Sequence, residues 1–213
     1  MKRLVGLILF GFMSSSAFSA SLNIDFSTRM GAPLSFQGYE GQAGTWNSIG
    51  LGSHNLFDLN GVATSVTASV SASNDNGIWG SFAPLLGDNI WDTSAWSVDL
   101  SGLTNGLYEL IVYAPTNSMV STGSLDINGL SLPEMGAVGT SYPTMVDGVT
   151  HKVLQIEITN STLSLSGDDQ NTSKNYYGLA GIQLAPVASE VPLPAAASLF
   201  GSALLGLGLA RRR

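Results

Sequence analysis

Polar and apolar residues alternate repeatedly between residues 21 and 187, and no stretch there has a convincing helical period. In residues 65–73, Ser and Thr alternate with Val and Ala. Successive side chains of a strand point to opposite faces of its sheet, so this pattern predicts a strand with one solvated face. Residues 106–115 are strongly apolar and end in proline, which predicts a central strand that stops there.

Turn residues separate the predicted strands. Three dipeptides carry residue pairs that favour tight turns: Asn105-Gly106, Asn128-Gly129 and Asp147-Gly148. Further strands are predicted at residues 22–27, 96–101, 122–128, 151–158, 162–166 and 177–184. Many short strands with Gly and Asn turns are typical of a β-sandwich. The predicted fold class is therefore all-β, with a single β-sandwich domain at 20–187.

The composition excludes several classes of function. The chain of 213 residues has no cysteine, which excludes disulfide bonds, thiol catalysis and cysteine-ligated metal centres. All 15 acidic residues lie between residues 20 and 190, where only Arg29, Lys152 and Lys174 are basic. A nucleic-acid partner is not expected, because binding to phosphates requires a basic surface.

The N-terminus has the pattern of a secretory signal peptide. Lys2 and Arg3 precede an apolar run at 4–13, and small residues follow it. Signal peptidase requires small side chains at the third and first positions before its cut, which Ala17 and Ser19 supply for cleavage after Ser19. We therefore expect residues 1–19 to be removed and the protein to be exported.

The C-terminus has the pattern of a membrane anchor. Residues 195–210 carry no charge, and Arg211, Arg212 and Arg213 follow them directly. As a helix this segment would measure about 24 Å, slightly less than the hydrocarbon core of a bilayer. Arginines stay on the cytoplasmic side. The tail at 188–213 is thus expected to hold the exported domain transiently at the inner membrane.

The order of features in this tail resembles a known sorting signal. Val191, Pro192, Leu193 and Pro194 form a Pro-x-Pro motif ahead of the hydrophobic segment and the terminal arginines. This arrangement resembles the PEP-CTERM signal, in a variant with Leu193 where the usual motif has glutamate. The resemblance implies processing by an exosortase, a membrane-embedded cysteine transpeptidase. It also implies a final place in the cell envelope, on the outer surface or in the extracellular matrix.

Two segments of the central domain resemble carbohydrate-binding modules with a galactose-binding-like jelly roll. One is the turn and strand LSGLTNGLYEL at 100–110, and the other is the final strand YYGLAGIQL at 176–184. The resemblance implies a jelly-roll sandwich in which these two strands pair. It also implies a carbohydrate ligand.

Signatures of catalysis are not found in the sequence. There is no Gly-x-Ser-x-Gly elbow, and the two histidines, His54 and His151, belong to no His-Glu-x-x-His motif. His54 is expected in a loop and His151 just ahead of a strand, both as exposed polar residues. A carboxylate pair for glycoside cleavage stays open, because the separation of such a pair depends on the fold. The prediction is a protein without enzymatic activity.

Four aromatic residues are candidates for carbohydrate binding. Sugar rings stack on exposed aromatic faces and form hydrogen bonds with neighbouring amides and carboxylates. The candidates stand in stretches rich in Gly, Asn or Asp, which predict loops: Tyr39, Trp46, Trp79 and Trp91. Alternatively, these rings close the ends of a sandwich that is poor in large side chains. Trp96 belongs to an alternating apolar face and is expected in the core.

Two oxygen-rich segments are candidates for a calcium site, because Ca²⁺ takes carboxylate, amide and carbonyl oxygens. Residues 74–77 contain Asp75, and residues 168–171 contain Asp168 and Asp169. Neither segment has the spacing of an EF-hand loop, so a site would be assembled from separate loops. The alternative is that each segment is a turn held by Asx hydrogen bonds.

These observations lead to one main hypothesis and two alternatives. We expect an exported, non-catalytic module that binds exopolysaccharide or another glycan in a biofilm matrix, with calcium as a further possible ligand. The first alternative is a structural matrix or adhesion protein without a glycan pocket. The weaker alternative is an envelope glycoside hydrolase. Burial of the four candidate rings would favour the structural role.

Overall fold

A computed structural model of the chain describes residues 19–33, 42–75, 85–87, 89–92, 94–114, 124–132, 146–168 and 178–188. These residues form thirteen strands and no helix, so none of them belongs to a helix that could cross a membrane. The strands are β1 (Leu22–Phe26), β2 (Trp46–Ile49), β3 (Gly52–Phe57), β4 (Ala63–Ser71), β5 (Ile90–Trp91), β6 (Ala95–Ser101), β7 (Gly106–Tyr113), β8 (Ser124–Ile127), β9 (Leu130–Leu132), β10 (Lys152–Ile158), β11 (Thr162–Asp168), β12 (Gly178–Leu179) and β13 (Gly181–Pro186).

Most of the strands belong to two sheets. One sheet has five strands in the order β10-β7-β13-β1-β2, and the other has six in the order β3-β4-β6-β11-β8-β9. Neighbouring strands are antiparallel except β1 and β2, which run parallel. The two remaining strands, β5 and β12, pair with each other. The pairing implied for the segments at 100–110 and 176–184 is confirmed, because β7 and β13 are neighbours.

Apolar side chains from the facing sides of the two sheets form one core. β1 contributes Leu22 and Ile24, and β6 contributes Val98 and Leu100, all of them fully buried. Trp96 belongs to the same core, as predicted, with 2% of its surface exposed. On β4, buried aliphatic residues alternate with exposed hydroxyl residues. The predicted β-sandwich is therefore confirmed.

Four strands have no counterpart in the sequence prediction: β2, β3, β5 and β9. β3 reads Gly-Ser-His-Asn-Leu-Phe and is mostly exposed, so its own sequence does not mark it as a strand. It forms because it pairs along its length with β4, whose alternation is regular. The expectation that His54 lies in a loop is wrong, since His54 is a partly buried residue of β3.

The connections between strands differ at the two ends of the sandwich. At one end, which we call the turn end, short turns join β3 to β4, β6 to β7, β8 to β9 and β10 to β11. Asn128-Gly129 forms the β8–β9 turn, as predicted, with positive φ at both residues. At the opposite end, which we call the loop end, the strand ends joined by longer connections come together. These connections run from β4 to β6, from β7 to β8, from β9 to β10 and from β11 to β13.

The described domain begins and ends at the turn end. Leu22, the first residue of β1, pairs with Leu184 near the end of β13. Beyond β13, the N–H group of Val187 donates to the carbonyl of Leu107 at 2.8 Å. The chain therefore enters and leaves the sandwich on the side opposite the loop end.

Candidate functional site

The short sheet of β5 and β12 lies at the loop end and contains Trp91, one of the four predicted binding residues. Ile90 and Leu179 of this sheet are fully buried in the core. Trp91 pairs with Gly178 on one side. On the other side its N–H and carbonyl groups bond to Asn74, at 3.0 and 3.2 Å. The main chain of Trp91 is thus held from both sides, while its indole is partly exposed.

Asn89 lies beside Trp91 and has an unusual environment. It is 2% exposed, and its side-chain oxygen has no hydrogen-bond partner in the described part of the chain. Its Nδ2 atom is 1.8 Å from the place that a Cβ atom on residue 178 would occupy. Only glycine at position 178 leaves room for this amide. A buried acceptor oxygen without a hydrogen-bond partner among the described residues thus lies on the residue two positions before Trp91.

Asp92 closes the turn that follows Trp91. Its Oδ2 accepts a hydrogen bond from the hydroxyl of Ser73 at 2.5 Å, and its Oδ1 accepts from the N–H and hydroxyl of Ser94 at 3.0 and 3.1 Å. Burial raises the pKa of Asp92, but these hydrogen bonds outweigh it and hold the pKa below the usual value of 3.8. Asp92 therefore fixes the ends of β4 and β6 to each other.

The described residues contain no group of side chains that matches the predicted calcium site. Asp75 is partly buried, and its carboxylate lies beside Gly50 in the β2–β3 connection. Asp168 is the last residue of β11, where it pairs with Ala95 and Ser124. Across the described ranges, no three His, Asp or Glu side chains form a group that could hold a metal ion. Asp75 directly follows Asn74, whose main chain is bonded to that of Trp91. The structure therefore brings Asp75 to the same end of the sandwich as Trp91.

The prediction that Trp46 is a loop residue available to a ligand is wrong. Trp46 is the first residue of β2 and is only 6% exposed. It packs in a second apolar cluster with Leu85, Ile111 and Tyr113 on the outer face of the five-stranded sheet. Its ring is buried because Leu85 and Leu86 cover this face. Trp46 thus serves the packing role that the sequence left open for the candidate rings.

Several predicted residues lie outside the described residues. They are Tyr39 and Trp79 among the binding candidates, Asp169 among the calcium candidates, the sorting motif Val191, Pro192, Leu193 and Pro194, and the cluster Arg211, Arg212 and Arg213. The apolar segments of the signal peptide and of the sorting tail also lie outside. These parts remain predictions from sequence.

The structure brings together a set of buried polar residues that sequence reasoning missed. They lie on the outer face of the five-stranded sheet, and we call them the outer-face row: Asn23, Asp25, Tyr113, His151 and Gln183, each fully buried. The expectation that His151 is exposed is therefore wrong. The ring of His151 lies 5.9 Å from that of Tyr113, and its Nδ1 is 3.1 Å from the hydroxyl of Thr150.

The sequence around the outer-face row indicates exposure to solvent, although these residues are buried. In β1, Asn23 and Asp25 alternate with Leu22, Ile24 and Phe26, a pattern that normally marks a solvated face. All five residues are buried, because the second apolar cluster covers the polar side of the sheet. Only residues distant in sequence determine this burial, so alternation alone does not predict it.

Two depressions lie at the turn end, and they differ from the site around Trp91 in their lining. A groove of about 420 Å³ is bordered by the start of the domain and by the β3–β4 and β6–β7 turns. A smaller one of about 340 Å³ is lined by Glu157, Asn128, Asn160 and two threonines. Neither has an aromatic residue in its lining. Trp91 and Asn89 therefore form the stronger candidate site for a sugar ring.

Comparisons with known proteins place the chain near several solved structures. No family model matches the chain, and neither does any curated protein. The protein YxiM of Bacillus subtilis is 15% identical, with a TM-score of 0.44, over 79% of this chain and 40% of that one. The ANX2 ectodomain of Arabidopsis thaliana is 15% identical, with a TM-score of 0.41, over 81% of this chain and 50% of that one.

A carbohydrate-binding module is also among the similar structures. A family 35 module of Clostridium thermocellum is 10% identical, with a TM-score of 0.36, over 56% of this chain and 92% of the module. The first of the similar proteins is much longer than this domain, because the chain spans 40% of the length of YxiM.

Proposed function

We propose that the domain is a non-catalytic carbohydrate-binding module whose site lies at the loop end, around Trp91 and Asn89. The observation that carries the proposal is a partly exposed indole on a fixed main chain, two residues after an asparagine whose buried amide oxygen has no hydrogen-bond partner among the described residues. An aromatic face packs on the apolar side of a sugar ring, and a few polar groups fix its orientation.

The chemistry of the two residues is complementary. A buried acceptor left without a donor is unfavourable, and a sugar hydroxyl that donates to Asn89 Oδ1 would remove this cost. Asp92 is engaged by Ser73 and Ser94, so it holds the site together and does not receive the ligand. In this proposal Trp91 supplies the stacking surface and Asn89 the orientation.

The proposal includes an exported location. The signal peptide and the PEP-CTERM-like tail support delivery by signal peptidase and an exosortase to the envelope, the outer surface or the matrix. The glycan is then an exopolysaccharide of the same environment. Replacing Pro192 and Pro194 by alanine should leave unprocessed protein at the inner membrane, which fractionation and immunoblotting would measure. Unchanged processing would contradict recognition of this motif.

A second candidate is a structural matrix or adhesion protein without a glycan site. The burial of Trp46 favours it, because one of the four predicted binding rings is committed to packing. The acidic composition also suits such a protein, since it can bind cations or basic partners. The two candidates differ in whether the folded protein binds any glycan.

The test is binding of the purified full chain to a glycan panel that includes the exopolysaccharide of the host. We expect saturable binding, and about a tenfold weaker Kd for Trp91→Ala, as loss of an aromatic contact worth about 1.4 kcal/mol would give. Trp91→Phe should retain most of the affinity. Phe57→Ala is the matched control, because Phe57 is an exposed ring at the turn end.

Folding of each variant is checked by circular dichroism and thermal unfolding. Wild-type affinity in a folded Trp91→Ala variant would exclude this site. A folded wild-type chain that binds no glycan on the panel would overturn the proposed function and support the structural candidate.

A further inference from the structure

The outer-face row contains a continuous chain of hydrogen bonds. The hydroxyl of Tyr113 donates to Gln183 Oε1 at 2.6 Å, and Gln183 Nε2 donates to Asn23 Oδ1 at 2.9 Å. These three residues stand on the adjacent strands β7, β13 and β1. Their side chains therefore form a fixed polar strip in a buried environment.

The residue Gln42 covers this strip. Its main-chain carbonyl accepts from Asn23 Nδ2 at 3.0 Å and from Gln183 Nε2 at 3.1 Å. Its own side-chain oxygen is buried and has no hydrogen-bond partner in the described part of the protein. Gln42 thus has one buried acceptor without a partner, on a residue whose carbonyl is bonded to the strip.

Trp46 covers the same strip from β2. It is the cross-strand partner of Asn23, and its Cζ3 atom comes within 3.7 Å of the place that a Cβ atom on Gly181 would occupy. The indole therefore reaches across β1 toward β13. Its Nε1 is buried and donates to no acceptor in the described ranges, although the residue is only 6% exposed.

We propose that Trp46 Nε1 and Gln42 Oε1 bind one neutral hydroxyl group in a buried site above Asn23 and Gln183. A hydroxyl accepts from the indole N–H through its oxygen and donates to the amide oxygen through its hydrogen, so it satisfies both groups. A cation would repel the indole N–H, and an anion would repel the amide oxygen. The two groups together therefore select a neutral ligand that both donates and accepts.

Two sources can supply this hydroxyl. One is an internal water molecule, since buried waters typically bond to otherwise unsatisfied polar groups. The other is a hydroxyl of a bound carbohydrate. The site is separate from Trp91 and Asn89, so it stands or falls independently of the proposed function.

The experiment uses NMR of the full chain labelled with ¹⁵N. Trp46→Phe identifies the indole signal of Trp46, because that variant lacks it. We expect a direct cross-peak between this indole proton and water, with the sign of a long-lived complex. Gln42→Met should reduce the cross-peak severalfold, because it removes the second partner. Gln155→Met, at an exposed glutamine of β10 in the same sheet, is the matched control.

Addition of the glycan panel separates the two sources. A cross-peak that persists identifies water, whereas a saturable shift of the Trp46 indole signal with loss of the cross-peak identifies a carbohydrate hydroxyl. A folded wild-type chain with neither a water cross-peak nor a glycan-dependent shift would overturn the proposal. A cross-peak unchanged by Gln42→Met would also overturn it, because the two groups would then not share a ligand.

Discussion

Within the core, the indole of Trp96 packs closely against Gly167. The two are cross-strand partners on β6 and β11. A Cβ atom on residue 167 would lie 2.4 Å from two carbon atoms of the indole. Gly167→Ala should therefore lower the free energy of unfolding by about 1–3 kcal/mol, as expected for overpacking. Urea unfolding measures the change.

Ser164→Ala on the same strand is the control, because Ser164 is exposed and should tolerate the change. Equal stability of Gly167→Ala and the wild-type protein would show that the indole moves aside at no cost.

The side chain of Asp92 allows a prediction of how the stability of the fold depends on pH. A carboxyl group whose pKa is lower in the folded chain stabilises it above the unfolded pKa and loses that contribution as the pH falls through the folded pKa. Asp92→Asn should thus be less stable than the wild-type protein at pH 7, and the difference should shrink as the pH falls below the usual value of 3.8. Thermal unfolding at a series of pH values tests this.

The matched variant is Asp99→Asn, at an exposed carboxylate of β6. A difference between Asp92→Asn and the wild-type protein that stays constant down to the lowest pH would contradict the assigned hydrogen bonds.

At the residue scale, the sequence predicts whether an aromatic residue is buried only when the residues around it alternate between polar and apolar. Trp96 stands in a regular apolar and polar alternation, and its place in the core is confirmed. Trp46 stands among Gly, Thr and Asn, which favoured a loop, yet it packs against Leu85 and Ile111. Those partners are distant in sequence, so no local pattern indicates that Trp46 is buried.

At the scale of elements, one side chain of β2 is bonded to the last residue of β3. Asn47 Nδ2 donates to the carbonyl of Phe57 at 2.8 Å, and Asn47 Oδ1 accepts from the N–H of Phe57 at 2.8 Å. The same Nδ2 also donates to the carbonyl of Asn23 at 3.0 Å. One amide thus links the edge strands of the two sheets.

Asn47→Leu should lower the free energy of unfolding by about 1–3 kcal/mol, because it leaves buried main-chain groups without partners. Hydrogen exchange should show faster exchange at Phe57 before other positions of β3. The control Asn55→Leu changes an exposed amide of β3. If exchange at Phe57 is unaltered in Asn47→Leu, the main chain of β3 does not depend on this amide.

Strands with a long regular alternation are predictable, and strands defined by their partners are not. β4 and β6 each carry several alternations of their own, and both are confirmed. β5 and β12 have two residues each and exist because they pair with each other. The candidate site depends on β5 and β12, so the sequence could name Trp91 but could not show that Asn89 is buried against Gly178.

At the scale of the whole molecule, the charge predicts how binding depends on salt. The chain has a formal net charge of −7, which does not act on a glycan that carries no charge. Raising the ionic strength from about 0.01 M to about 1 M shortens the Debye length from about 30 Å to about 3 Å. We expect the Kd for a neutral glycan to change less than about twofold over this range, as measured by calorimetry.

A Kd that weakens strongly with salt would instead indicate a cationic ligand. Neutral and cationic dextran derivatives of one length provide the comparison, since only the cationic polymer should respond.

The ends of the described domain both lie at the turn end, which sets the direction of a pulling force on it. β13 leaves the sandwich at the turn end, and it lies between β7 and β1 in its sheet. If the tail tethers the protein and the loop end binds a polymer, a force that pulls on the polymer acts along β13. The hydrogen bonds to both neighbours lie across that force, because antiparallel bonds are perpendicular to the strands. They must then break together in shear, which suits a domain that has to hold its ligand under flow.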